Sequence, residues 1–553
     1  MAVVGNRSVA ALLDRLAPDQ RAAATAPPGP VLCIAPAGSG KTTTLVARVA
    51  WLVKGGADPA GITAIAFNKR AADELDGRLV TTLEPLSRGR VRVRTFHALG
   101  REILREAGQP VEPLVDRASL LRGLWPSAPA AELRRLETVI SRLKLDMRAA
   151  AADVSADPEA GPRAQAYVAY EAAVADTGGL DFDDLIARSL ALVERDADVR
   201  ARWHARCAHL LVDEAQDLDR SQLDLALALA EPENRIFLVG DDDQSIYGWR
   251  LADVRRVLEL ADRLPGLQRV ALTINYRCPG PVVDRAVRLV AHNHERFPKV
   301  VRAAQPTAGR LVLAPLPPEP AERVRRILAT WPADDAPRAV LARTNRELAP
   351  AAVAALEASR PFRAAGVRLI VESGLVDELL QRLERETASS APLLLRLGRL
   401  RAAIDGDVPR RGMGPDDATN DPDEPTASEV AAALLGWAAG FRTLDGLRSA
   451  IEERRNALAV LRCDDAPLSL ATAHGTKGLE FDDVAVIDMD AAAFPSARSL
   501  AEALEPERAL EEERRLAYVA WTRARHSLLL AYDPAAPSQF LLEAFSAEEL
   551  GLD

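Results

Sequence analysis

Short apolar runs recur along this chain, bounded by Gly, Pro, Asp or Asn, with longer amphipathic stretches between them. Runs at 31–34, 62–67 and 91–94 predict strands, and helical spacing fills the gaps. From about residue 100 to 206 the pattern turns helical, rich in Ala, Leu, Arg and Glu. Strand signals return at 209–212, 236–239 and 270–273. A second series follows at 310–314, 338–342, 468–472, 484–488 and 527–532, interrupted by a mainly helical stretch from about 376 to 464. Within that stretch, 405–428 is rich in Asp, Pro, Gly and Thr and reads as a mobile loop. The pattern predicts two α/β cores, each carrying a helical insertion.

The junction after the first strand carries the clearest chemistry. Ala35, Pro36, Ala37, Gly38, Ser39, Gly40, Lys41 and Thr42 form a Gly-bearing loop between a strand and a helix. Such a loop cradles phosphate: backbone N–H groups crowd round the oxygens, Lys41 supplies charge, and Thr42 offers a hydroxyl to Mg²⁺. Ala35 stands where the general pattern has its first glycine. A second signal depends on the first. The strand 209–212 ends in Asp213 and Glu214, one acid for a metal and one to polarise the attacking water. The run after strand 236–239 sets Gln244 among acids and then presents Tyr247, Trp249 and Arg250, planar groups beside a cation, as base stacking requires. Arg277 and Arg523 are candidate arginine fingers. The stretch 472–481, with His474, Lys477 and Glu480, resembles a phosphate loop without its strict spacing, so DNA phosphate or ribose contacts suit it better.

Composition narrows the classes. A chain of 553 residues suggests roughly three or four domains. The net charge of −10 excludes a globally basic nucleic-acid binder, so any such surface is a local groove. Cys33, Cys207, Cys278 and Cys463 form no C-x-x-C pair, which argues against a zinc ribbon or a cysteine-ligated cluster. No run reaches membrane-spanning length and the N-terminus lacks a signal-peptide core, so a cytoplasmic setting is expected. Lysine is scarce beside arginine, yet Lys41 and Lys477 both sit in Gly-containing loops, where a compact charge fits better than a planar fork.

The order of these motifs resembles the UvrD/Rep/PcrA-type helicases of superfamily one, from Gln20 almost to the end of the chain. That resemblance implies two RecA-like parallel-sheet P-loop cores: 1–99 with 207–276, and 277–375 with 465–535. Helical insertions would lie at 100–206 and 376–464, the second shortened, with a tail at 536–553. It implies that Gln20 reads adenine and Tyr276 stacks on it, with the 35–42 loop on the phosphates. Lys41, Thr42, Asp213 and Glu214 would serve phosphate, Mg²⁺ and base. Gln244, Arg277 and Arg523 would gather at the γ-phosphate and Glu480 near the ribose. Phe67, Tyr247, Trp249 and Arg250 would line a single-strand track, with Thr95, His97, His474 and Lys477 near DNA backbone. Three departures stand out: Thr43 where relatives commonly have Arg against adenine, Leu251 where they have Gly, and the short second insertion, which puts strand separation in doubt. The expected protein is a DNA-dependent ATPase moving 3′→5′ on single-stranded DNA and opening duplex junctions. Repair or replication is the expected setting, with ATP and Mg²⁺ as cofactors, repair proteins as candidate partners and no membrane. Two alternatives stay open: a translocase that strips proteins from single strands, and a nucleotide-gated adaptor of repair or transcription complexes.

Overall fold

The computed structural model describes residues 9–83, 90–157, 161–306, 309–317, 319–385, 391–407 and 425–552. Most of the loop expected at 405–428 lies outside the described residues. The chain divides into two compact units. One comprises Met1–Ala128, Glu132–Ala308 and Glu507–Tyr518; the other holds Gly309–Pro506 and Val519–Asp553, with Pro129–Ala131.

The first unit is built on β1 (Val31–Ile34), β2 (Ile62–Ala66), β3 (Arg92–Thr95), β4 (His209–Val212), β5 (Ile236–Gly240) and β6 (Gln268–Ala271). They form one sheet in the order β3-β2-β4-β5-β1-β6, every pair parallel. Alternate residues of β1 serve opposite faces. Leu32 and Ile34 pack with Ile65, Phe96 and Trp203, while Val31 and Cys33 pack with Leu45, Val49 and Phe237. Helices therefore cover both faces, and the central strands are apolar throughout because neither face meets water. Between β3 and β4 the chain is helical, from Phe96–Glu106 to Ala197–Arg206. Part of this segment has its own small core of Leu121, Leu136, Ile140, Leu143, Tyr167, Tyr170 and Val174.

The second unit holds β9 (Arg310–Pro315), β10 (Arg338–Ala342), β11 (Phe362–Arg363), β12 (Leu468–Thr472), β13 (Phe481–Val486) and β14 (Ala524–Tyr532), preceded in sequence by the short pair β7 (Ile274–Asn275) and β8 (Arg302–Ala303) of the first unit. Their order is β11-β12-β10-β13-β14-β9, again parallel. The helices Gly374–Arg385, Leu393–Asp407, Ala427–Trp437 and Leu444–Leu461 lie between β11 and β12 and share one core with that sheet.

The chain does not divide at residue 276, where the sequence placed the boundary. Residues 277–308 belong to the first unit, and so do Glu507–Tyr518, which the sequence had put in the second core. Buried charge is the reason. Lys299 Nζ, fully buried, lies 2.7 Å from Asp241, 2.6 Å from Asp242 and 2.9 Å from Asp243. Arg296 adds two hydrogen bonds to Asp243, at 3.0 and 2.8 Å. Three aspartates behind β5 cannot be desolvated without these cations.

Candidate nucleotide and nucleic-acid sites

Parallel strands put all their carboxyl ends on one edge, which is where such sheets bind ligands. The spatial order of the first sheet then lays the candidate residues side by side. Thr95 ends β3 and His97 follows it, Phe67 follows β2, and Asp213 and Glu214 follow β4. Asp241 to Arg250 follow β5, the phosphate loop follows β1, and Asn275 to Arg277 lie beyond β6.

The phosphate loop turns on two glycines, with φ of +67° at Gly38 and +83° at Gly40. A Cβ on Gly38 would meet Asn275 Oδ1 at 2.5 Å and Arg277 Cβ at 2.7 Å, and one on Gly40 would meet Gln20 Nε2 at 2.5 Å. Ala35 needs no such freedom: it is buried, its φ is not positive, and its N–H donates to Gly240 O at 2.8 Å, extending the β1–β5 ladder. The glycine pattern is thus relaxed where the backbone is ordinary. Gln20 Nε2 donates to Ser39 O at 2.8 Å, and Tyr276 N–H donates to Gly38 O at 2.9 Å. Both adenine-side candidates therefore brace the loop. Tyr276 keeps its ring half exposed. Lys41, Thr42 and Thr43 open the helix Lys41–Lys54, whose N-terminus adds positive potential.

Lys41 Nζ lies 3.0 Å from each Glu214 oxygen. Burial alone would lower the ammonium, but Glu214, Asp213 and Asp241 outweigh it and hold its pKa above the ordinary value. Glu214 sits in the left-handed region at φ +51°, and its N–H donates to Asp213 Oδ1 at 2.9 Å. Gln216 ties the acids together. Its Nε2 donates to Glu214 Oε2 at 2.6 Å and its Oε1 accepts from Asp241 N–H at 2.9 Å. Gln244 Nε2 donates to Asp241 Oδ2 at 2.7 Å.

The loop that carries Asp241 and Gln244 continues to the aromatic residues. Tyr247 stacks on Phe67 with centroids 5.3 Å apart and planes 12° from parallel. Trp249 meets Tyr247 edge-on at 6.2 Å, and Arg250 lies over the Trp249 ring at 4.5 Å. Trp249 is 58% exposed, unusual for an indole that serves a core. These rings line a cavity of about 730 Å³ together with His97, Phe182 and Asp183. Burial, helped by Arg250, lowers the His97 pKa against the pull of Asp183, so the ring is a neutral wall. Thr95 Oγ1 caps the helix Phe96–Glu106 by accepting from Ala98 N–H at 3.2 Å.

The other candidates belong to the second unit. His474 opens a short turn after β12, and burial, with Arg343 and Lys477 nearby, drops its pKa to about 3. It can offer a hydrogen bond but no charge near neutral pH. Glu480 lies 3.5 Å from Arg525. Arg523 is buried, with Nε donating to Val519 O at 2.8 Å and Nη1 to Leu479 O at 3.1 Å.

Four contributors escaped the sequence reading. Phe182 is 58% exposed, edge-on to His97 at 5.5 Å. It starts a helix capped by a reciprocal Asp181–Asp184 box. Around it, Lys144 Nζ is buried against Glu171, Asp181 and Asp184 at 2.7, 3.0 and 3.1 Å. An exposed Phe between capping acids was a readable signal. Gln216 stands two residues after Glu214 but has no distinctive chemistry alone. Lys299 had a signal in lysine scarcity: the chain has six, and Lys144 and Lys299 each pair with three acids. Tyr518 had none. Its hydroxyl meets the backbone N–H of Ala37, and burial beside Asp241 and Asp243 pushes its pKa up.

Comparison with known proteins agrees with this geometry. Residues 16–265 match the UvrD/REP helicase N-terminal domain and residues 455–534 the UvrD-like helicase C-terminal domain. The ATP-dependent DNA helicase Rep of Escherichia coli K12 is 34% identical over 301 residues, 52% of this chain and 44% of Rep. The chain thus spans less than half of the Rep relatives it matches. DNA helicase II of the same organism is 28% identical, covering 95% of this chain and 85% of that protein. The ATP-dependent DNA helicase PcrA of Staphylococcus aureus Mu50 is 26% identical, covering 96% and 86%. With a phosphate loop, adjacent acids and an aromatic cavity along one sheet edge, and with both helicase domains matched, the chain belongs to the UvrD/Rep helicase family.

Proposed function

We propose that this protein is an ATP-dependent DNA helicase or translocase that couples hydrolysis to movement on single-stranded DNA. One observation carries the reading: a single run, Asp241 to Arg250, is tied at one end to the Lys41–Glu214 pair through Gln216, with Gln244 bonded to Asp241, and at the other end sets Tyr247 and Trp249 in the aromatic cavity. A shift of that loop on hydrolysis would move the stacking rings by a direct covalent route. The names of the relatives, DNA helicase II and ATP-dependent DNA helicase, support it. A 3′→5′ direction and a repair or replication setting rest on the family resemblance.

The donor set suits Mg²⁺·ATP. Thr42 and Asp213 offer hard oxygens, and Ser39 Oγ is a buried hydroxyl with no hydrogen-bond partner among the described residues, ready for a phosphate oxygen. Thr42 and Asp213 would hold the ion, which offsets charge on the phosphates when bound. A phosphate competes with Glu214 for Lys41. Once Lys41 turns to phosphate, the Glu214 carboxylate loses its cation, its basicity rises, and it becomes the better acceptor of a water proton. Arg277, beside Gly38, and Arg523 are the proposed fingers.

ATPase measured with and without oligothymidylate tests this. Strong stimulation by the strand is expected, abolished in Lys41→Ala. Glu214→Gln should bind ATP while turning over at least about 10²-fold more slowly. Near-normal turnover in that variant removes Glu214 from the base role, and ATPase indifferent to DNA removes the coupling. A second reading, translocation without strand separation, is favoured by the helicase II alignment. It runs over 636 positions, more than the 553 residues this chain has, so the relative carries segments this one lacks. Opening of a 3′-tailed duplex separates the two.

A further inference from the structure

A second cavity, of about 610 Å³, opens in the first unit, lined by Arg148, Arg200, Arg220 and Arg263 with Asp224, Glu194 and Glu231 among them. Asp224 gathers three of the guanidiniums, Arg263 at 2.6 Å and Arg148 and Arg220 each at 3.7 Å. The carboxylate is only 12% exposed beneath them, while Arg148, Arg220 and Arg263 remain 34%, 57% and 43% exposed. Arg148 also pairs with Glu194, Arg200 Nη1 donates to Glu194 O and Arg220 Nη1 to Asp146 O, yet each guanidinium carries five N–H donors and so keeps donors beyond these partners. Four arginines against three acids leave the lining positive by one charge, in a chain of net charge −10.

Its position relative to the aromatic cavity is informative. Leu145 lines the aromatic cavity and Arg148 lines this one. Asp219 and Gln222 line the former, Arg220 and Asp224 the latter. The first turn of the helix Arg220–Ala230 therefore shows one side to each, and a helix is about 10–12 Å across. The corner between them is also cationic. Arg220 Nη1 donates to Asp146 O at 3.2 Å and Arg256 pairs with Asp146 at 2.9 Å.

We propose that this arginine-lined cavity grips the phosphate backbone of the single strand where it passes beyond the aromatic cavity. The inference rests on the reading of the aromatic cavity as the strand's track. The lining favours backbone over a bound mononucleotide. Its apolar members are Val193, Leu227 and Ala228, with no ring to hold a base, while the planar arginine fork matches phosphate. Adjacency to the aromatic cavity, across the helix Arg220–Ala230, favours nucleic acid over an acidic peptide.

The test compares oligothymidylates of about 4 and about 20 nucleotides by fluorescence anisotropy across a salt series, lengths chosen to fill one subsite or both. The Arg148→Ala/Arg263→Ala double variant should flatten the slope of log K against log salt for the long strand by about 1.4, at about 0.7 per lost phosphate contact. It should leave the short strand's slope unchanged, and the Arg148→Lys/Arg263→Lys pair, which keeps the charge, should restore the parental slope. Trp249→Ala should weaken both lengths. If Trp249→Ala weakens neither, the aromatic reading fails on its own evidence. An unchanged long-strand slope in the Ala pair overturns the phosphate site. So does an equal loss on both lengths at unchanged slope, which reports damage to the fold. Unchanged DNA slopes with lost binding of a polyglutamate peptide assign the cavity to an acidic protein partner and also overturn it.

Discussion

Asp219→Asn should stabilise the first unit at alkaline pH and do so less at acid pH. Asp219 is 4% exposed and caps the helix Arg220–Ala230, accepting from Gln222 N–H at 2.8 Å. Burial is the main force on its carboxyl. Asp183 and Asp146 add to it, the Gln222 N–H and Arg256 oppose it, and the pKa is pushed up from 3.8 to about 7. Below pH 3.8 the group is protonated in both folded and unfolded chains. Between 3.8 and about 7 the unfolded chain has released its proton and the folded chain has kept it, so stability falls as pH rises. Above about 7 the full penalty stands. Three pKa units at 1.36 kcal/mol each set its ceiling at about 4 kcal/mol. At pH 4.5 under a third of that is present, so the two conditions differ by about 3 kcal/mol at most. Asn keeps the cap but adds an amide that needs a partner, a cost of about 1–3 kcal/mol that does not change with pH. The comparison between pH values therefore isolates the carboxyl. Thermal melts of parent and variant at pH 4.5 and pH 8 should show a variant Tm advantage at least about 3 °C larger at pH 8, given about 2–4 °C per kcal/mol for a unit of this size. An advantage equal at both pH values, or larger at pH 4.5, would refute a buried ionised carboxylate at this position.

Trp249→Ala should weaken single-strand binding about 5- to 150-fold, from about 1–3 kcal/mol per stacked base, without lowering Tm, since the ring is more than half exposed. A fall in Tm with DNA affinity per folded molecule intact would make Trp249 a core residue. Leu251 holds φ at +67°, which costs a residue with a Cβ about 1 kcal/mol, so Leu251→Gly should leave thermal stability nearly unchanged despite lost packing while Leu251→Val lowers it. A large loss in the Gly variant alone would show that packing dominates. Arg523→Ala should cut kcat for ATP by about 10³-fold or more with a small change in KM, measured per folded molecule. A rise in KM alone would exclude a finger role.

The departures from the family pattern have different physical weight. Leu251 replaces glycine at a left-handed position, so the backbone path is kept and the chain bears the strain locally. Ala35 replaces glycine where φ is not positive and costs nothing. The difference is invisible in the sequence, where both read as a missing glycine.

By itself the sequence determined the strand–loop–helix junction at Lys41, the acids after β4, the aromatic run after β5, and the alternation of α/β cores with helical segments. These are features of short-range spacing, where a turn needs glycine at fixed offsets and a buried parallel strand needs an unbroken apolar run. Tertiary structure decided what lies far apart in the chain and close in space. The parallel sheet brought Thr95, Phe67, Glu214, Trp249, Lys41 and Arg277 to one edge, in an order their sequence positions do not reveal. The fold also drew Lys299 and Tyr518 to Asp241, Asp242 and Asp243, moving the unit boundary past 277–308 and recruiting Glu507–Tyr518. No local pattern encodes that choice. It follows from the cost of burying three carboxylates, which only a distant cation can offset.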